Sequence, residues 1–444
     1  MSDRTKLLKL SYPIYFESLL FSIIGSMDTL MLSKYSDMAV GAVGVVNQFL
    51  FLIQIAGNII IAGTGILLAQ YIGARKSRGE IQKLTLSALF INLILGILFS
   101  GLIVVLHPTI LSFLNIDGQM LTFARDYMVI IGSFLFLQLI SITFSMFLRA
   151  HGKTRTTFKV SFLMNLINVL LNYVLIYGKL GLPSMGVEGA AWATVISKGI
   201  GLVILGSIVY KMAFKDLPVH YGRQDFKTVL PRILHYGAPA AGEQISYTLA
   251  KFIMMIFITK LGKDAITAYA YSNTLVSFVY VFAVSLGQGT SIMVGWHMGA
   301  KERDKANALT LYSARVSFLV SMAFCSILVL FRVPLLGILS ENRDIIALAS
   351  TVLLFNFVVE AGRSQNLIFV NALRASGDVR FPFYMSVISM WSIGVLLSYV
   401  FTFSLSMGLP GIWLALGLDE VFRAVFMRIR WRNNFSMLTA ITSS

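Results

Sequence analysis

About twelve stretches of this chain are long and apolar enough to cross a lipid bilayer, since each has the roughly 20 residues that a transmembrane helix needs. Hydrophobic residues make up 57% of the 444 residues and charged residues only 13%, whereas soluble domains average about 25% charged. The sequence therefore predicts an all-α, multi-pass membrane protein. We place the helices at 12–34, 45–71, 85–107, 121–147, 159–178, 188–210, 238–260, 268–294, 310–333, 347–372, 382–403 and 409–428.

The basic residues indicate how the chain is oriented. The chain has 36 Lys and Arg against 20 Asp and Glu, a net charge of +16. In a soluble protein this excess would suggest a nucleic-acid partner. Here the basic residues lie mainly in alternate short loops, as the positive-inside rule describes for cytoplasmic loops. We expect a protein of the plasma membrane, surrounded by lipid, with both termini cytoplasmic and no nucleic-acid partner.

The two halves of the chain repeat one another. Glu17 recurs as Glu243, 226 residues later, LRAHGKTR returns as LRASGDVR, and GVEGAAWA is echoed by GLPGIWLA. Because each half has an even number of predicted helices, both halves keep the same orientation, as in the parallel repeats of transporters. We predict two six-helix lobes related by a pseudo-two-fold axis. The predicted boundaries are 1–210 for the N-lobe, 211–236 for a cytoplasmic linker and 237–444 for the C-lobe.

Two acids lie in the first predicted helix, where an unpaired charge costs about 2.5–3.5 kcal/mol. Asp28 has no counterpart in the second half, because Met254 stands at the equivalent position. A charge kept in one lobe only is the better candidate for an ion-coupling site, the alternative being a packing acid near Lys34. Glu17 and Glu243 are equivalent in the repeat, and for both a structural pairing with loop arginines is the alternative to a function.

Other polar residues lie within the predicted helices. Helix five carries a stripe of three asparagines, and helix six carries a threonine hydroxyl. Helix ten carries an acid and an arginine three residues apart. Two lysines also lie deep within predicted helices. Interhelical hydrogen bonding, close packing or mutual neutralisation is the structural alternative for these residues, and the lysines are potential counter-ions. In chain order they are Asn165, Asn168, Asn172, Thr194, Lys198, Lys251, Glu360 and Arg363.

The sequence shows no pattern of a catalytic site, so we predict that the protein is not an enzyme. It lacks the complete phosphate-loop motif Gly-x-x-x-x-Gly-Lys-Ser/Thr of ATP-driven proteins, because Gly152-Lys153-Thr154 is preceded by Phe147 where the first glycine would stand. Transport would then depend on an ion gradient, which supplies about 2.3 kcal/mol per charge per 100 mV. We expect H⁺ or Na⁺ as the coupling ion and no other cofactor. A membrane enzyme would need a cluster of acid, base or metal ligands at one interface, and the two-lobe repeat disfavours a receptor or channel.

The motifs LRAHGKTR, NVLLNYVLIYG, GVEGAAWAT and LRASGDVR resemble those of the multidrug and toxic compound extrusion (MATE) transporters. The resemblance covers nearly the full chain in length, helix number and lobe organisation. It implies a V-shaped, two-lobe antiporter that exports small organic cations or drugs in exchange for Na⁺ or H⁺. We expect it to work as a monomer.

The resemblance also implies roles for individual residues of the N-lobe. Asp28 falls where the family has its first-helix acid, which takes part in cation or proton coupling. Asn168 and Asn172 match the polar pair of helix five, and Thr194 matches the hydroxyl of helix six. If Na⁺ is the coupling ion, these four side chains would bind it. The family often has Asp at the position of Asn172, so the site here has one negative charge fewer.

In the C-lobe, one branch of the family uses a helix-seven Glu and a helix-ten Asp. This makes Glu243 and Glu360 candidates for a substrate site or a second coupling site. Arg363 has no counterpart in the family pattern and is a candidate through its position three residues after Glu360. A second interpretation keeps the fold and makes the protein a lipid-linked glycan flippase of the same superfamily. Pyrophosphate cargo would require several arginines in the cleft, but only Arg363, with Lys198 and Lys251, lies deep, which argues against a flippase.

Overall fold

The computed structural model describes residues 2–113, 117–215 and 222–434, and the regular structure over these residues is helical. The α-helices are α1 Asp3–Ser33, α2 Asp37–Gly73, α3 Arg78–Phe113, α4 Gly118–Ser133, α5 Leu135–Ala150, α6 Thr154–Tyr177, α7 Gly186–Val209, α8 Arg223–Lys260, α9 Lys263–Gly299, α10 Arg303–Leu330, α11 Arg332–Leu339, α12 Arg343–Ser376, α13 Arg380–Ser389, α14 Leu396–Tyr399 and α15 Leu409–Asn434. Three π-helical turns, Tyr210–Phe214, Met390–Val395 and Val400–Ser404, follow α7, α13 and α14.

The helices coincide with the predicted spans and extend beyond the apolar stretches at their ends. Nine helical segments of the described residues are long and apolar enough to cross a membrane, and the pair α4 and α5, bent by 49°, would form a tenth span. Helices α8 and α15, which we also predict to span the bilayer, carry charged side chains within their apolar stretches. The prediction of an all-helical, multi-span membrane protein is confirmed. Within the predicted linker, 216–221 lies outside the described residues, and α8 begins already at Arg223.

The chain forms two compact units. One unit comprises Met1–Tyr15, Ala69–Arg75 and Pro239–Ser444, and the other comprises Phe16–Leu68 and Lys76–Ala238. We call them the C-unit and the N-unit. The beginning of α1 and the end of α2 therefore pack with the C-terminal half of the sequence, across the lobe boundary that we predict at 210.

Each unit has apolar cores of its own. In the N-unit, the core collects buried side chains from α1, α2, α4, α6 and α7, among them Leu32, Val46, Met128, Ile176 and Val195. In the C-unit, one core joins the beginning of α1 to α9, α12 and α15 through residues such as Leu10, Met293, Phe369 and Trp431. A second C-unit core contains Met254, Leu353 and Trp413. These cores hold the helices that carry the polar candidates.

The repeated glycines explain why both halves keep the motif LRAxG. Gly152 and Gly377 have φ values of 74° and 103°, a left-handed conformation that glycine adopts without the steric cost of a Cβ. Gly377 directly follows the end of α12 and Gly152 lies two residues after the end of α5, so that Arg149 lies in the last turn of α5 and Arg374 in the last turn of α12. The motif thus places an arginine at the same point of each repeat.

Candidate functional site

Asp28 of α1 begins a chain of side-chain hydrogen bonds that runs over three helices of the N-unit. The Nδ2 of Asn172 donates to Asp28 Oδ1 at 2.6 Å and to Asn168 Oδ1 at 3.3 Å. Asn168 donates through its own Nδ2 to Oγ1 of Thr194 at 3.4 Å. The Thr194 hydroxyl in turn donates to the carbonyl oxygen of Ala190 at 3.0 Å. The four side chains that we predicted for the N-lobe site are therefore neighbours.

The local sequence of α6 and α7 produces this arrangement. Residues four apart lie on one face of a helix, which aligns Asn168 with Asn172. Helices α6 and α7 meet at Gly189, where a Cβ would lie only 2.7 Å from the backbone of Leu175. Glycine therefore allows the close approach that brings Thr194 to Asn168. Asn165, the third member of the predicted stripe, is buried, but its Nδ2 has no hydrogen-bond partner among the described residues.

A cavity of about 50 Å³ lies beside Thr194 in the N-unit. Its wall includes residues from both sides of the bend between α4 and α5 and one lysine, Lys198, which lies a single helical turn after Thr194. The Lys198 ammonium interacts electrostatically with the Asp28 carboxylate. The polar wall residues are Asn47, Gln54, Tyr127, Gln138, Thr194 and Lys198. The site thus combines one acid, one base and several neutral hydrogen-bonding groups.

The donor set of the Asp28 chain suits a hard cation, which prefers oxygen ligands. Asp28, Asn168, Asn172 and Thr194 each offer a side-chain oxygen. Within the described ranges, the buried Oδ1 of Asn172 has no hydrogen-bond partner, so a cation would satisfy an atom that is otherwise unpaired. A group of three or more His, Cys, Asp or Glu that would hold a metal ion is absent from the described part of the chain.

Glu17 and Glu243 form the same ion pair in the two repeats. Glu17 is 3% exposed, lies 2.8 Å from Nη2 of Arg149 and accepts a hydrogen bond of 2.6 Å from Ser161. Glu243 pairs with Arg374, the repeat equivalent of Arg149. The geometry corresponds to the structural alternative, in which the LRAxG arginine clamps the helix that carries each glutamate.

The C-unit contains a buried network of charges between α12 and α15. Nη1 of Arg363 lies 2.8 Å from Oε1 of Glu360, and its Nε lies 3.4 Å from Oε1 of Glu420. Arg423 lies 2.6 Å from Asp419 and 3.1 Å from Glu420. Glu360 and Arg363 were predicted from the sequence, whereas the three residues of α15 were not. Their signal was visible: two adjacent acids with an arginine three and four residues later, inside an apolar segment.

Neutral groups complete the network. Asn366 donates to Glu420 at 2.9 Å, and the Ser389 hydroxyl donates to Asp419. A Cβ at Gly362 would overlap the backbone of Val421, so glycine permits the contact between α12 and α15. Together with Lys251, which interacts electrostatically with Glu420, the network contains three acids and three bases and has no net charge.

Comparison with known proteins shows where this architecture belongs. The MatE family model matches residues 13–174 and 239–400, more than half of the chain and one match in each repeat. The uncharacterized transporter YisQ of Bacillus subtilis is 35% identical over 433 residues, which cover 97% of this chain and 95% of YisQ. The probable multidrug resistance protein NorM of Thermotoga maritima is 27% identical over 426 residues, covering 95% of this chain and 90% of the relative.

Solved structures match the fold over nearly the whole chain. A mutant of the Vibrio cholerae MATE transporter VcmN superposes with a TM-score of 0.89 at 16% identity, covering 98% of this chain and 97% of the other. A MOP superfamily transporter from Pyrococcus furiosus gives a TM-score of 0.86 at 20% identity, covering 98% and 96% of the two chains. The repeated helices, the repeated motifs and these matches agree, and the chain belongs to the MATE family of multi-span membrane transporters, which are not enzymes.

Proposed function

We propose that the protein is a secondary active antiporter that exports organic cations or drugs in exchange for H⁺ or Na⁺. Family membership supports transport, and the name of the Thermotoga maritima relative, a probable multidrug resistance protein, favours drug-type substrates. The observation that carries the proposal is the Asp28 chain: an acid that the repeat does not duplicate, within the bilayer, hydrogen-bonded to Asn172 at 2.6 Å. A plasma-membrane location with cytoplasmic termini belongs to the same proposal.

In this proposal Asp28 binds the coupling ion. Asn168, Asn172 and Thr194 orient the carboxylate and supply the remaining polar contacts. A ligand shifts a conformational equilibrium only by its differential affinity for the two states. Ion binding at Asp28 neutralises a costly buried charge, and the state that best accommodates the neutral site becomes favoured. Release of the ion on the other side of the membrane reverses the preference and resets the carrier.

For a second site in the C-unit, Glu360 has more support than Glu243. Glu360 is fully buried, and among the described residues its Oε2 has no hydrogen-bond partner although Oε1 is paired with Arg363. An acceptor of this kind would suit a cationic group of a substrate. Glu243 is already paired with Arg374, and we assign it to the scaffold.

The exporter interpretation is tested by the Asp28→Asn variant. We expect this variant to insert in the membrane at the wild-type level and to lose gradient-driven efflux of a cationic dye, because asparagine cannot exchange a cation or proton at pH 7. Thr29→Ser on the same helix serves as the control and should keep efflux. Undiminished efflux from well-expressed Asp28→Asn would overturn the coupling role of Asp28.

The flippase interpretation has less support. A flippase for anionic pyrophosphate cargo would require a surplus of positive charge in its site. Arg363 and Arg423 are both buried, but each lies within 3.4 Å of a carboxylate of the network, so neither provides uncompensated charge. Transport of a cationic dye and of a lipid pyrophosphate by the same reconstituted protein would distinguish the two functions.

A further inference from the structure

We infer that Lys198 is a built-in competitor for Asp28: a tethered cation that balances the carboxylate and makes Na⁺ a poor ligand of the Asp28 site. The inference rests on the proposed function, because it concerns the site that we assign to the coupling ion. It adds a selectivity determinant, since any external cation that binds Asp28 has to do so in the presence of the Lys198 charge.

The position of Lys198 excludes the usual explanation for a lysine in a membrane helix. Long basic side chains near helix ends extend to the interface. Lys198 instead lies near the middle of α7, about 17 Å from either end at 1.5 Å per residue, a distance that its side chain cannot span. It lies on the wall of the cavity together with Thr194, which stands one turn earlier on the same helix face and belongs to the hydrogen-bonded chain of Asp28.

Lys198 acts on Asp28 through its charge and not through a direct bond. Among the described residues, it has neither a hydrogen bond nor a direct ion pair, and the acid with which it interacts electrostatically is Asp28. Asp28 reaches the same cavity wall through Asn172, Asn168 and Thr194. The lysine therefore balances the carboxylate without occupying its hydrogen-bonding positions.

The charge balance determines what the site can bind. With Asp28 and Lys198 both charged, the pair sums to zero, and Na⁺ would add an uncompensated positive charge to a poorly solvated region. A neighbouring ammonium several Å away weakens the binding of a monovalent cation by about tenfold or more at an effective dielectric constant near 20. Replacing Lys198 by a neutral side chain should therefore open the Asp28 site to Na⁺.

The experiment measures Na⁺ binding and does not depend on transport. Purified protein in lipid nanodiscs is heated in increasing NaCl, with choline chloride at equal ionic strength as the reference, and unfolding is followed by tryptophan fluorescence. A ligand that binds the folded state raises the unfolding temperature with concentration. The variants are Lys198→Met, the charge-preserving Lys198→Arg, the double variant Lys198→Met/Asp28→Asn, and Lys159→Met as a control at an exposed lysine of α6.

We expect Lys198→Met to bind Na⁺ at least about tenfold more tightly than wild type, and the double variant to lose this gain. Lys198→Arg and Lys159→Met should respond as wild type does. The inference is overturned if Lys198→Met responds to Na⁺ no more than wild type, if the gain persists without Asp28, or if Lys198→Arg shows it too. Failure of the proposed function would appear separately: the variants would show the Na⁺ responses given above, but the wild-type protein would export no cation.

Discussion

Removal of Arg423 is the sharpest test of the charge network in the C-unit. In Arg423→Met, Asp419 and Glu420 lose partners at 2.6 and 3.1 Å while remaining 1% and 6% exposed. Removing one partner of a buried ion pair costs about 3–5 kcal/mol, because the other charge is left uncompensated. Asp419 keeps the Ser389 hydroxyl, and Glu420 keeps its contacts with α12, so we expect a loss near the lower limit, about 3 kcal/mol.

The assay is unfolding in mixed micelles, followed by tryptophan fluorescence, with expression and monodispersity checked first. Arg428→Met is the matched control, because Arg428 lies on α15 but is exposed, and it should cost less than about 0.5 kcal/mol. Adding Asp419→Asn to Arg423→Met removes one uncompensated acid and should recover at least about 1 kcal/mol. Equal stabilities of Arg423→Met and Arg428→Met would refute the argument that the network is a set of mutually dependent charges.

Three further predictions follow from the two units. Glu17→Gln should destabilise the protein more than Glu243→Gln, by about 1–2 kcal/mol, because Glu17 is the more buried acid of the two repeated ion pairs; equal unfolding midpoints would contradict this. Gly362→Val should cost about 3 kcal/mol, the upper end of the usual range for overpacking, since its side chain would overlap the backbone of α15, and a wild-type unfolding curve would be inconsistent with that contact. Asn172→Ala should reduce the initial rate of gradient-driven efflux at least about tenfold while leaving expression unchanged, because a hydrogen bond to a charged group contributes about 1.5–3 kcal/mol; an unchanged rate would show that Asp28 needs no such partner.

Much of the fold was predictable because its signals are local and repeated. Apolar length identified the spans, and the steady spacing of Glu17 and the LRAxG motif identified the repeat. Spacing alone does not show which arginine pairs with which acid. In the structure, Glu17 pairs with Arg149 and Glu243 pairs with Arg374. The bend at Phe134 was not predicted, although Gly132 and Ser133 directly precede it and such Gly-Ser pairs are a common cause of helix kinks.

The candidate site was predicted to different extents in the two units. The Asp28 group was predictable because its asparagines share one helix face and an intramembrane acid needs partners. Asp419, Glu420 and Arg423 were missed although they lie inside the predicted span 409–428. Only packing through Gly362 brings them against Glu360 and Arg363. The association of Lys198 with the Asp28 chain likewise depends on how α7 packs against α6 and α1, which helix periodicity alone does not determine.

The most direct test of the account is cation-coupled export by purified protein in sealed vesicles. A cationic dye is loaded, and a pH gradient or a Na⁺ gradient is imposed separately, with wild type and Asp28→Asn compared at equal reconstitution. We expect dye movement driven by an imposed ion gradient in wild type and none above the empty-vesicle rate in Asp28→Asn. Dye movement that is equal in the two proteins, or that proceeds in wild type without either gradient, would contradict it.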